Sequence, residues 1–307
     1  MINIGILGMT EGNAHPYSWS AIINGRFDGN EIIKIGYPSV AAYLHANKDT
    51  LGINDARVTH VWCQERSISE SIAASSGISV VVDRYEDMIG NVDAIILTRS
   101  DTENHVSMAS PFIDAGIPIF IDKPLASNLP DLDYFSRKIA NGKLIMSCSS
   151  MRYSVEALNT KIEFPSLGKL ELITAVSKKD WMNYGVHMLE CIFMLLDEAK
   201  PATVKHISEE GKDMVHLTFA NGLQVLVNLF MDIAATFQVS VFGQNGWRLI
   251  EIKNSYSMFR DNIIEFIRSV HEGKPRLNFS RTENVIRTLI AARQSLEQGG
   301  VTIHLNN

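Results

Sequence analysis

Cysteine is scarce: three in 307 residues, Cys63, Cys148 and Cys191, an odd number with no CxxC pair. That excludes a disulfide framework, and the apolar sequence around each predicts buried free thiols in a reducing compartment. Long apolar runs are missing too. None approaches the ~18–20 residues that span a bilayer. The opening Met1-Ile2-Asn3-Ile4-Gly5 has no basic region and meets glycine at once, so it reads as a first strand rather than a signal peptide. Nor is there a basic run: the formal charge is −6. A generic nucleic-acid or anionic-membrane footprint is therefore not expected. The nine histidines show no paired ligand spacing, so no metal site is expected. These absences predict a cytoplasmic protein with neither nucleic-acid nor membrane partners.

What is present is ordinary globular composition, 46% hydrophobic and 20% charged, in a chain long enough for two domains. The first 150 residues alternate strand-like runs (2–7, 58–63, 79–82, 92–98, 117–121, 143–148) with helical patterns. Parallel strands need long crossovers, usually helical, so this rhythm predicts a doubly wound, Rossmann-like parallel sheet. From about Lys169 the rhythm changes. Strand-like runs at 170–177, 203–208, 214–219, 224–232, 238–243 and 248–252 are punctuated by Asn221-Gly222 and Asn245-Gly246, strong hairpin signals. The predicted fold class is α/β plus α+β: residues 1–150 form a dinucleotide-binding domain. Residues 151–307 form a substrate-binding and oligomerisation domain on a large, mainly antiparallel open sheet. Within it, the strand 224–232 (QVLVNLFMD) is too apolar on both faces for one to be freely solvated, which predicts a homo-dimer or homo-tetramer built sheet to sheet.

Several segments could carry chemistry. The first strand-to-helix turn reads Gly5-Ile-Leu-Gly8-Met-Thr10-Glu11-Gly12-Asn13-Ala-His15. A dinucleotide fold sets pyrophosphate on backbone N–H groups here, with glycines permitting close approach. The usual GxGxxG is absent: with Gly8 first, Thr10 and Asn13 fill the other positions, Gly12 is a displaced substitute, and Glu11 puts an anion where a phosphate is wanted. After the second strand, Glu65 suits the 2′-hydroxyl of NAD and Arg66 the 2′-phosphate of NADP, or both are solvated charges. The fourth strand ends at Thr98, whose loop leads to His105; Thr98 is a cofactor-lining candidate, and His105 either lines the nicotinamide side or caps its helix. His15 either contacts cofactor or staples the first helix. A further strand delivers Asp122-Lys123-Pro124 at its carboxyl end, where ligands of open α/β sheets bind, and the proline holds Lys123 extended.

At Asp122-Lys123-Pro124 the chain resembles the Gfo/Idh/MocA oxidoreductases, whose hallmark is Glu-Lys-Pro. The resemblance continues through Arg152-Tyr153, Leu167-Gly168-Lys169-Leu170, Tyr184-Gly185-Val186-His187-Met188-Leu189-Glu190 and Ala291-Ala292, covering nearly the whole chain in order. It implies an NAD- or NADP-binding Rossmann domain, a second domain with an open sheet, and Lys123 and His187 facing a cleft between them. It implies a carbohydrate-like small-molecule substrate. The family commonly has an aspartate four residues before the histidine, where this chain has Asn183, which cannot act as a base. That shifts attention to Tyr184, or to Asp180 one turn away.

The residue types fit such chemistry. Histidine titrates nearest neutral pH and suits moving a hydroxyl proton. A lysine, with a reference pKa of about 10.4, orients and polarises the oxygen as a cation. Glu190, three residues on from His187, is placed to fix its tautomer. The alternative is a hydrogen-bonded core histidine. The sequence thus predicts an NAD(P)-dependent oxidoreductase moving hydride at a hydroxyl or ketone carbon of a sugar, polyol or derivative. A non-catalytic ligand-binding or scaffold protein with weakened cofactor binding is the alternative.

Overall fold

The computed structural model describes residues 1–305. They pack into two compact units, Met1–Ala126 with Pro130–Cys148 and Phe259–Phe279, and Ser127–Leu129 with Ser149–Met258 and the chain from Ser280 onward. No helix among the described residues is long and apolar enough to cross a membrane.

The first unit holds β1 (Ile2–Leu7), α1 (His15–Asn24), α2 (Gly29–Lys34), α3 (Pro38–Ala46), β2 (Ala56–Trp62), α4 (Arg66–Ser76), β3 (Val80–Val81), β4 (Ala94–Leu97), α5 (His105–Asp114), β5 (Ile119–Ile121), most of α6 (Leu129–Ala140) and β6 (Ile145–Met146). All six strands run parallel in the order β3-β2-β1-β4-β5-β6. This is the expected doubly wound sheet. Every residue of β4 is buried, as a central strand covered on both faces requires. Neighbours β1 and β4 stand where the strand order reverses, and their carboxyl ends, with that of β5, define the edge at which such sheets take ligands.

The second unit holds α7 (Val155–Lys161), β7 (Leu170–Lys178), α8 (Trp181–Leu195), β8 (Thr203–Glu209), β9 (Lys212–Thr218), β10 (Gln224–Phe230), β11 (Phe237–Gly243) and β12 (Gly246–Glu251). The chain then runs through α9 (Ser255–Glu272), α10 (Phe279–Glu297) and β13 (Ile303–His304). The seven strands lie in the order β12-β11-β7-β10-β9-β8-β13, antiparallel at every junction but one. The exception is β10 beside β7, which pair in parallel. The alternating burial of β10 sends Val225, Val227 and Leu229 inward and leaves Leu226 exposed. From Phe259 onward α9 belongs to the first unit, where Phe266 meets Phe120 at 5.7 Å and Phe120 meets Trp19 at 5.5 Å.

Candidate functional site

In the first unit the loops after β1, β4 and β5 are tied together by one buried carboxylate. Asp122, 1% exposed, accepts from the Asn13 amide at 2.8 Å, faces His15 Nδ1 at 2.6 Å and accepts from the Lys123 N–H at 2.8 Å. Burial alone would raise its pKa, but the His15 and Lys123 charges and the Asn13 amide bring it down to about 2. Asn13 also donates to the Thr98 carbonyl at 3.0 Å and accepts from the His15 N–H at 3.0 Å. Its side chain is thus spent inside the chain. Thr98, fully buried, donates its hydroxyl to the Gly8 carbonyl at 2.5 Å. His15 stacks on Trp19 at 4.2 Å. His105 is sealed, one ring nitrogen on the Leu125 carbonyl at 2.9 Å and the other on that of Arg99 at 3.0 Å. It braces the β4 and β5 loops against each other instead of capping a helix.

The glycine loop is open where a dinucleotide would need it. Gly8 and Gly12 sit at φ +80° and +79°, and a Cβ on Gly12 would meet nothing within 4 Å. Among the described residues no acceptor within the chain pairs with the backbone N–H groups of Thr10, Glu11 or Gly12. These donors fit a pyrophosphate. The Thr10 hydroxyl is held by Ser100, Oγ to Oγ at 2.9 Å. Glu11 is exposed. At the end of β2 the Gln64 amide caps the Met9 backbone on both sides, while Glu65 stands exposed at the start of α4. Arg66 is engaged by the carboxylates of Glu70, at 2.8 Å, and Asp83.

In the second unit α8 is started by Asp180, whose carboxylate accepts from the Asn183 backbone N–H at 3.0 Å. The Asn183 amide donates to the same carboxylate at 2.7 and 3.0 Å, so Asn183 and Asp180 form one N-terminal cap. Tyr184 stacks on Phe237 at 5.5 Å and meets the His187 ring edge-on at 5.1 Å. Burial, helped by the Asp180 charge, raises its phenol pKa. His187 is half-buried, not sealed in the helix core.

The partner of His187 is Ser149, whose hydroxyl lies 2.6 Å from Nδ1. That hydroxyl also accepts from the Met151 N–H at 3.2 Å. Glu190 does not fix the imidazole, as its spacing suggested. Its carboxylate, fully buried, accepts from the Ser149 N–H at 3.2 Å and from Arg152 at 2.8 Å, and Arg152 is also paired with Glu198. Burial raises the Glu190 pKa against the pull of Arg152. Glu190 and Arg152 therefore set the backbone from which Ser149 reaches His187. Ser149 escaped the sequence reading, although its place just past the sixth strand was a usable signal.

Residues 31–147 match a family model described as "Oxidoreductase family, NAD-binding Rossmann fold", a span that begins after the glycine loop. A segment of 112 residues, 35% of this chain, is 30% identical to inositol 2-dehydrogenase 1 of Saccharopolyspora erythraea and spans 33% of that protein's length. Among solved structures, myo-inositol 2-dehydrogenase of Lactobacillus plantarum superposes with a TM-score of 0.77 at 15% identity, over 99% of each chain. The myo-inositol dehydrogenase of Lactobacillus casei, in complex with NAD(H) and myo-inositol, gives 0.77 at 14% identity, over 100% of this chain and 97% of the other. At these identities the superpositions establish a common fold.

Proposed function

We propose, from the match of residues 31–147 to the Gfo/Idh/MocA oxidoreductase family, that this chain is an NAD(P)-dependent oxidoreductase acting on a hydroxyl or ketone carbon of a sugar, polyol or sugar derivative. What carries the proposal is the open loop, with unpaired N–H groups at Thr10, Glu11 and Gly12 beside the carboxylate that anchors Lys123. A bound nicotinamide supplies the acceptor or donor of hydride. The Lys123 ammonium polarises the reacting oxygen. The His187 imidazole, oriented through Nδ1 by Ser149, takes or gives the proton. Tyr184 orients alongside, and Asn183 contributes through the cap. The inositol dehydrogenases that share the fold point to a polyol substrate.

The test begins with titration of NADH and NADPH into the full-length protein, followed by fluorescence. At least one is expected to bind below millimolar concentration. Lys123→Ala and His187→Ala are then expected each to cut turnover by about 10²-fold or more, with cofactor affinity little changed. A second reading, a ligand-binding protein without catalysis, draws on the exposed Glu11 within the loop. Failure of both cofactors to bind at millimolar concentration would establish that reading instead.

A further inference from the structure

Arg99 lies in the loop after β4, yet its side chain crosses to the glycine loop. A Cβ added to Gly8 would stand 2.6 Å from Arg99 Cγ, 2.8 Å from Cδ and 3.6 Å from Gln64 Oε1. The arginine stem therefore lies flat against the first glycine of the phosphate loop, flanked by Gln64 from the end of β2. Its positive charge is felt as far as the Cys63 thiol on that same strand end. The guanidinium itself is gripped two-handed by Asp101, Nε to Oδ1 at 2.7 Å and the second nitrogen to Oδ2. The pair is largely but not wholly withdrawn from solvent, 13% and 19% exposed.

Resting on the cofactor reading above, we propose that Arg99 is the phosphate-binding side chain of the dinucleotide site, exchanging Asp101 for the pyrophosphate. Two observations on this loop call for such a cation. Glu11 places a negative charge where an anion must approach, and only Gly12 of the non-first positions retains the freedom of a glycine. A guanidinium presents donors in a fork that matches either a carboxylate or a phosphate, so one can replace the other with little rearrangement. Asp101 then acts as a built-in competitor. It keeps the arginine ordered in the free protein and lowers its affinity for the incoming anion.

Opposite signs from the two halves of the pair are the signature. NADH and NADPH are titrated separately into wild type, Arg99→Ala, Arg99→Lys and Asp101→Asn, with thermal melts to establish that each variant folds. Arg99→Ala is expected to weaken both cofactors about 10- to 100-fold. Arg99→Lys, which keeps the charge without the fork, is expected to recover part of that loss. Asp101→Asn is expected to bind both about threefold tighter or more. Should Arg99→Ala fail to fold, the sign of the Asp101→Asn change decides alone. Wild type that binds while Arg99→Ala is unchanged or tighter overturns the proposal and leaves the cofactor reading standing. A loss confined to NADPH also overturns it, since Arg99 would then read the 2′-phosphate. Wild type that binds neither cofactor overturns the parent reading itself.

Discussion

At Asp122 a fully buried carboxylate stays ionised because its neighbours outweigh its burial, holding the pKa at about 2. The sign of the consequence is fixed by linkage. A carboxylate held below its unfolded value of about 3.9 contributes stability that is complete above that pH and is lost as pH falls toward the folded value. At about 1.4 kcal/mol for each unit the contribution is between about 2 and 3 kcal/mol. Asp122→Asn is therefore expected to flatten the acid side of the stability profile. Urea unfolding compared between about pH 5 and pH 2.5 reads this, and a wild-type-to-variant gap that stays constant over that interval would count against it. The residues around Asp122 also show what a sequence displays and what it hides. The sequence could single out Lys123 and His187 as candidates because a fixed local pattern surrounds each. It could not single out Ser149, whose contact with His187 spans 38 positions of sequence. Asn13 and His105 were legible as polar residues near a ligand edge. Their actual partners, buried carbonyls and a carboxylate, are set by packing that no spacing reveals.

Secondary elements were more legible than their neighbours. Periodicity and turn chemistry located β1, β2, β7 and β8 to β12 within a few residues, because alternation records which side chains face inward. It does not record which strand lies alongside, so the parallel pairing of β7 with β10 was missed. The short helices α2 and α3 also went unseen, six and nine residues being too few for a helical period to stand out. Within α8 one position is sterically committed. A Cβ on Gly185 would lie 2.8 Å from two atoms of the Trp181 ring and 3.1 Å from Leu289 Cδ1. Trp181 is 2% exposed, with its indole donating to the Leu289 carbonyl at 3.2 Å, so the ring has nowhere to retreat. Gly185→Ala would gain about 1 kcal/mol in helix propensity. Overpacking costs about 1–3 kcal/mol and prevails. The expected outcome is a lower melting temperature by calorimetry; an unchanged or raised one would show that the tryptophan can give way.

For the whole molecule, the outward face of the second sheet is where self-association is expected. Register sets Leu226 opposite Thr174, Thr174 opposite Ser240 and Ser240 opposite Leu249. The next row ends in Phe242 opposite Trp247, whose rings stand 6.5 Å apart. Trp247 is 61% exposed and Leu249 50%, a contiguous apolar surface of the kind that association covers. Light scattering is expected to give a multiple of 34.2 kDa, and Trp247→Asp with Leu249→Asp is expected to bring the mass down to that value. A wild-type monomer at micromolar concentration would remove the idea. The return of α9 into the first unit bears on a different process, the birth of the chain. A nascent polypeptide that has emerged only as far as Cys148 has all six parallel strands but not Phe266, which covers Phe120. The first unit, although its strands are translated first, thus cannot close on the ribosome until Phe259–Phe279 has followed. Throughout that interval Trp19 and Phe120 lack part of their cover, which gives a chaperone that reads exposed aromatics its opportunity.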